Sequence, residues 1–529
     1  MDGRDERDRT SLANAAARGD TAAVLGYIKD GAEVDARDDD GFTPLGYAAR
    51  NGHTETVIIL AQHGAEVDAR DDDGFTPLRH AARNGHTETV IILAQHGAKV
   101  NVNRFCQSPL FFAARSGKTE FVLALLKFGA KMIENACYCP VNEAARLNHL
   151  DIVRILVKNY NANPNTPDYH DHTALFSAAA HGLVDMVRLL VEECGLNPHS
   201  ANYKRETLVY VAAEKGMTDT VRFLEEEYGV NPNRPNGQGD TAVSIAAARG
   251  HTETVLVLVK ECGANAKAVN KIGNNAVWEA ACNGYTDTVR SLVSECGVDP
   301  EVANNDGKTP LWEAACEGYT DTVRALLSEC GVDPEAVNVN GIPLVCIATF
   351  MDNLDVVREL VKYKADPNTT DIFGRTPVFY AVNSRNMEMV QFLVRDCNAD
   401  PYIANNNGVT PLCRAATHGY SEMVWTLVRK CGVDPTGLDR SRRQLLAFAM
   451  ALHPRLGSVS RASVLDDCLL EMMLAPHLTP GPLASEIAEQ NKNRRTAKLL
   501  NWLQSPEGAT PTAEELDEGY RYVRRKLDI

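Results

Sequence analysis

Several features are scarce in this 529-residue chain, and each scarcity narrows what it does. No apolar run approaches the roughly 18 residues a membrane span needs; Leu445 to Leu452 is among the longest. Positive charge is in deficit, 54 Lys and Arg against 70 Asp and Glu, leaving a formal charge of -16. An acidic surface of that size repels phosphate backbones, which argues against nucleic acid as the main partner. Cysteine is sparse for a disulfide scaffold, 14 in 529 residues. The opening Met-Asp-Gly-Arg-Asp-Glu-Arg-Asp lacks the apolar core of a secretory signal. The expectation is an intracellular chain, cytoplasmic or nuclear, with free thiols. Gly-x-Ser-x-Gly, His-Glu-x-x-His and the kinase signature set are all missing.

What the sequence has in abundance is itself. Ala48 to Ala65 matches Ala81 to Ala98 at all 18 positions. Trp278 to Pro300 and Trp312 to Pro334 differ only at Asn283/Glu317, Ser291/Ala325 and Val293/Leu327. Cys194, Cys262, Cys296, Cys330, Cys397 and Cys431 lie 68, 34, 34, 67 and 34 residues apart, so they mark one position of a repeat. Self-similarity at this period is the signature of a repeat architecture. A small pair of residues recurs with its first member at 15, 48, 81, 113, 144, 178, 212, 246, 280, 314, 347, 381, 415 and 449, and more loosely at Ile487. Residues 341–365 depart from the pattern: Ile342-Pro343-Leu344 lacks the usual Thr, and one residue reads as inserted before Val357.

Most units read Gly-x-Thr-Pro-Leu-x-x-Ala-Ala-x-x-Gly, then Val-x-x-Leu, then Gly-Ala/Val-x-Pro/Val. Thr43, Thr76, Thr309 and Thr410 open the Thr-Pro-Leu motif, and Gly52, Gly85 and Gly250 open Gly-His. On these residues the chain resembles the ankyrin-repeat family over about residues 8–505. The resemblance implies an all-α repeat solenoid of helix-turn-helix units joined by β-hairpin fingers, about 14–15 units in all. The physics agrees. Thr caps the first helix, Pro fits its first turn, and paired alanines let helices approach closely. Gly64 or Gly297 closes the second helix in a left-handed conformation. One such unit cannot bury its apolar stripe alone, and stacking buries it. The expected organisation is an N-terminal tail at 1–7, an array of about 13 units at 8–440, degenerate repeats and a cap at 441–505, and a linker with a terminal amphipathic helix at 506–529.

Candidate chemistry is mostly explained by the repeat. Gly117-Lys118-Thr119 and Gly307-Lys308-Thr309 lack the earlier Gly of a phosphate loop, with Phe112 and Val302 in its place. His170-Asp171-His172 and the Cys137/Cys139 pair lack a second ligand pair at zinc spacing. No metal or cofactor is expected. Asp71-Asp72-Asp73-Gly74 lacks the alternating ligands of a calcium loop and repeats Asp38-Asp39-Asp40-Gly41 one unit earlier. It reads either as a wet turn or as an acidic patch, Asp39, Asp40, Asp72 and Asp73, for a Lys/Arg-rich ligand.

The strongest binding signal is aromatic. Trp278 and Trp312 share one first-helix position, with Tyr285 and Tyr319 at the start of the second helix. Stacking would set them in a ladder, either as a binding hot spot or as packing between repeats. The resemblance places Cys282, Asn283, Cys316 and Glu317 on a concave face, and Phe42, Phe75, Asn305, Asp306 and Lys308 on fingers. From residue 441 onward, 12 Lys/Arg against 11 Asp/Glu give +1, so the remaining -17 lies on residues 1–440. Electrostatic steering should then favour a partner with a basic segment. The leading expectation is a non-enzymatic protein-interaction scaffold or adaptor. Alternatives are a regulatory or accessory role in a transcription or specialised-metabolite pathway, or substrate adaptation for a ubiquitin ligase through residues 441–529; catalysis is disfavoured.

Overall fold

The computed structural model describes residues 10–101, 108–132, 139–168, 172–338 and 340–434. The expected elements at 1–7, 441–505 and 506–529, the units at 449 and Ile487, and Cys137, His170 and Asp171 lie outside the described residues. The chain divides into two compact units, Met1–Ala268 and Val269–Ile529. None of the described helices is long and apolar enough to cross a membrane.

Each unit is a stack of helix pairs. In the first, Ser11–Arg18, Pro44–Asn51, Pro77–Arg83, Pro109–Ser116 and Pro140–Arg146 pack each on the next, and each packs on its own second helix, as Pro44–Asn51 does on Thr54–Gln62. In the second, Ala276–Ala281, Pro310–Glu317, Leu344–Phe350, Pro377–Asn383 and Pro411–Thr417 do the same. The core lies between the two helix layers: Leu45, Ala48, Ala49, Val57 and Leu60 are fully buried, as are Leu311, Ala314, Ala315, Val323 and Leu326. Caps follow the motif. Thr43 Oγ1 accepts the Gly46 amide at 3.1 Å, Pro44 fills the first turn, and Gly52 ends the helix left-handed at φ 75°.

One backbone bond marks the register of each unit. The residue capping the second helix donates its amide to the first member of the small pair, as His53 does to Ala48 and Tyr319 to Ala314. In residues 341–365 that bond runs from Asn353 to Ala348. The small pair is therefore Ala348-Thr349, both fully buried, and not the pair beginning at Ile347. The inserted residue disappears with this correction. Pro343 simply stands at the capping position, without a side-chain bond, where most units have Thr.

Units do differ in length at the end of the second helix. Ala65 and Ala98 close back five residues, onto Leu60 and Leu93, whereas Ala264, Val298 and Val332 close back six, onto Leu258, Leu292 and Leu326. The extra residue accompanies the recurring cysteine or, at Tyr160 and Tyr228, a tyrosine, and in four of the described units a π-helical turn takes it up, as at Leu189–Glu193 and Phe392–Asp396. The described cysteines are free thiols.

The fingers are tighter than β-hairpins. Among the described residues the only extended pairings are isolated bridges, Ala201 with Thr207 and Val337 with Pro343. An Asx side chain shapes the loop instead. Asp38 Oδ1 accepts the Phe42 amide at 2.8 Å, Asn304 Oδ1 the Lys308 amide at 3.0 Å, and Asp371 Oδ1 the Arg375 amide at 2.8 Å.

Candidate functional site

The fingers come first, because they carry most of the expected contact residues. Adjacent tips are bonded to one another within each unit: the Asp72 amide donates to the Asp40 carbonyl at 3.1 Å, and the Asn305 amide to the Ile272 carbonyl at 2.9 Å. Asn305 also spends its side-chain amide on the Lys271 carbonyl at 3.0 Å. Within each Asp-Asp-Asp triplet the first carboxylate is consumed. Asp38 holds its own loop and the Tyr47 hydroxyl, and Asp71 holds its loop and His80 Nε2 at 2.7 Å. Asp39, Asp40, Asp72 and Asp73 remain exposed. Sequence reading grouped the triplets as acidic runs and missed this division of labour; the signal available was the recurrence of Asx four residues before the capping region.

Phe42 and Phe75 are half-buried packing residues. The Phe42 ring lies 5.0 Å from Tyr47 and 4.9 Å from His80, and the Arg79 guanidinium sits 3.6 Å over Phe75. Asp306 is exposed, whereas Lys308 donates to Glu313 Oε1 at 2.7 Å, and that carboxylate raises its pKa. Lys118 of the other Gly-Lys-Thr triplet donates to the Gly85 carbonyl at 3.0 Å. Neither triplet is shaped as a phosphate cradle.

The tryptophans do not form an exposed ladder. Trp312 is 3% exposed and belongs to the packing between repeats. Trp278 is half-buried, and its indole N–H is enclosed without a hydrogen-bond partner among the described residues. Their shared position faces the base of the following finger. At the same place in other units Asn142 donates to the Thr166 and His172 carbonyls, and Cys346 approaches Thr369 and Arg375 carbonyls. A position that bridges to the next loop is filled from within. Tyr319 is partly exposed, with its ring over Gly284.

The C-terminal ends of the first helices form a second surface. In the Val269–Ile529 unit it shows Asn283, Glu317, Phe350 and Met351, all exposed. Cys282 and Cys316 lie there as well. Burial pushes their thiols up to about 12 and about 11, so both are protonated at neutral pH and poor nucleophiles. In the Met1–Ala268 unit the same edge carries exposed Arg50, Arg83, Arg115 and Arg146, a feature that the overall acidity of the sequence concealed.

The second helices behave differently. Their arginines bridge carboxylates from turn to turn: Arg154 to Glu193 at 2.9 Å, Arg222 to Glu261 at 2.7 Å, Arg290 to Glu329 at 2.9 Å. The hydrogen bonds from Arg154 and Lys158 hold the Glu193 carboxyl down at about 2. This face is internally neutralised.

The repeat matches known proteins. The family described as ankyrin repeats (3 copies) matches residues 12–104, 102–168, 161–236, 243–338 and 344–439. No curated protein matches this chain. Among solved structures, the human ASB11 ankyrin repeat domain is similar at 25% identity and a TM-score of 0.37, over 41% of this chain and 96% of that one. The ankyrin repeat domain of Bcl-3 is similar at 27% identity and a TM-score of 0.35, over 39% of this chain and 89% of that one. With its motif matched from residue 12 to residue 439, the chain belongs to the ankyrin-repeat family.

Proposed function

We propose that this protein is a non-enzymatic scaffold or adaptor that holds a partner protein on its finger tips and first-helix edges. Ankyrin repeats are general protein-interaction modules, and the arrangement here suits that role. The observation that carries the reading is the bonding of finger to finger, Asp72 to Asp40 and Asn305 to Ile272, which presents adjacent tips in fixed register. A surface ordered before binding loses little entropy on binding. On the tips, the Asp39, Asp40, Asp72 and Asp73 carboxylates have no side-chain partner among the described residues. They favour a Lys/Arg-rich segment of the partner there, with Asp306 as the corresponding group in the second unit and Asn283 and Glu317 as contacts on the edge. Trp278 and Trp312 then act by supporting the finger bases.

Cross-linking and mass spectrometry on a native extract test this, comparing wild type with Asp39→Ser/Asp40→Ser/Asp72→Ser/Asp73→Ser. These side chains make no hydrogen bond or ion pair with another side chain among the described residues, so circular dichroism should be unchanged. A partner captured by wild type and lost from the variant is the expected result. Equal capture by both removes the fingers from the reading, and capture by neither overturns the scaffold.

A further inference from the structure

The first-helix edge of the Met1–Ala268 unit carries an arginine on successive repeats. Arg50, Arg83, Arg115 and Arg146 each follow the small pair, 33, 32 and 31 residues apart, and Arg18 extends the row one place later in the first unit. All five are exposed. Because Ser11–Arg18, Pro44–Asn51, Pro77–Arg83, Pro109–Ser116 and Pro140–Arg146 stack in order, Arg50, Arg83, Arg115 and Arg146 fall on one line, with Arg18 at its end and one residue further round its helix. Packed helices lie about 10 Å apart, which sets the step of the row.

The row is held in place from behind. Asn51 and His53 bind the Ala17 carbonyl at 2.7 and 3.1 Å, and Asn84 and His86 bind the Arg50 carbonyl at 2.7 and 3.1 Å. His149 reaches the Arg115 carbonyl at 3.3 Å. The Arg50 and Arg115 backbones are thus fixed at their carbonyls, and the side chains of the row are exposed. Among the described residues Arg18, Arg50 and Arg83 form no ion pair; Arg50 only passes 5.5 Å over the Phe42 ring. Arg115 and Arg146 share the single carboxylate of Glu143, at 3.6 and 2.9 Å. This contrasts with the second helices, where every bridge described above has its carboxylate.

A cation at a helix C-terminus complements the dipole, but that need is the same in every repeat. The equivalent position is Ala180, Glu214 and Ala248 later in this unit, and Cys282, Cys316, Phe350, Asn383 and Thr417 in the other. The dipole does not account for arginine in one block only. Like charges one step apart sit near the Debye length of roughly 8–10 Å, so they repel when nothing neutralises them.

We infer that the row Arg18, Arg50, Arg83, Arg115 and Arg146 is the docking surface for an acidic segment of a partner protein. The inference rests on the scaffold reading and assigns this edge a ligand opposite in charge to that of the fingers. A peptide in the polyproline II conformation advances about 3.1 Å per residue and brings every third side chain to the same face, so a carboxylate at every third residue matches the step, and each can pair with a guanidinium fork.

The probe is a labelled 15-residue synthetic peptide with aspartate at every third position, titrated with the full chain by fluorescence anisotropy at two salt concentrations. We expect binding that weakens with salt and falls at least tenfold in Arg50→Gln/Arg83→Gln. Those residues make no ion pair, and circular dichroism would confirm the fold. Arg222→Gln/Arg290→Gln, on the second helices, should bind as wild type. No binding by wild type, or equal binding by the Arg50/Arg83 variant, overturns the inference. So does tighter binding of a single-stranded DNA of equal charge, which would make the row a general polyanion surface. If the row fails while the cross-linked partner persists, the scaffold reading stands alone; loss of both removes both.

Discussion

Two side chains separate residues 33–65 from residues 66–98: Gly46 and Tyr47 in the first copy, Arg79 and His80 in the second. Both positions lie where the first helix meets its finger, and the loop carboxylate is served differently in each, by the Tyr47 hydroxyl on Asp38 and by His80 on Asp71. Burial lowers the His80 pKa, outweighing the pull of Asp71, and the nearby Arg50 and Arg79 lower it further. The folded protein therefore resists protonating His80 more than the unfolded chain does. Stability contributed by the neutral ring is complete above the ordinary histidine pKa of about 6.5 and is lost as pH falls from there toward the lowered native value. His80→Tyr restores the first copy's residue, and Tyr380 on Asp371 is a second precedent at 2.8 Å. Thermal midpoints between pH 7.5 and 5.5 should fall less steeply in that variant than in wild type; parallel slopes would show that His80 titrates freely. At this scale the sequence revealed which positions vary, but not what they touch. The tryptophan pair could be read either as a contact ladder or as packing, because repetition alone does not tell an outward position from one that fills the base of the next finger. The arginine row was written openly as Ala-Ala-Arg, yet a net charge averaged over the chain hid it.

Elements meet through glycine at the end of most first helices. Gly284 has φ 74°, and a Cβ there would lie 2.7 Å from the Tyr319 ring of the next repeat; Gly297 has φ 63° with open space around it. Alanine at either site costs about 1–2 kcal/mol for the left-handed backbone. At Gly284 overpacking adds roughly 1–3 kcal/mol. Denaturant midpoints for Gly284→Ala and Gly297→Ala should therefore differ clearly, and equal loss would mean that Tyr319 swings aside without cost. The ion pairs along the second helices count for less. Arg290→Ala should lower stability by no more than about 1 kcal/mol, and a larger loss in the same titration would reveal a cooperative network. Helix pairs, caps and the small-residue seam were legible because each follows from local chemistry in the Thr-Pro-Leu unit. Finger shape was legible in outline only, since an Asx side chain joins a single backbone bond, as between Asp38 and Phe42, in closing the loop. The apparent insertion near Val357 was an error of register, corrected by the single bond from Asn353 to Ala348.

At the scale of the whole molecule, each of the two units passes its contacts from repeat to neighbouring repeat, so damage should remain local. Leu311 is fully buried, and Leu311→Ala should cost about 2–5 kcal/mol. Hydrogen exchange should quicken in Pro310–Glu317 and in the adjoining Ala276–Ala281 and Leu344–Phe350, and stay unchanged in Ser11–Arg18. Uniform quickening would mean global cooperativity instead. The near-identity of residues 33–65 and 66–98 has a consequence of its own in inheritance. Misaligned recombination between the two coding segments would remove or add one copy and preserve the helix joints apart from the Gly46-Tyr47 or Arg79-His80 pair at the finger base, with Asn84 taking the Ala17 carbonyl that Asn51 now holds. Each such crossover would also shorten or lengthen the cationic row by one arginine. The reach of the ligand is then a heritable length, adjustable in whole steps without the need to evolve a new interface.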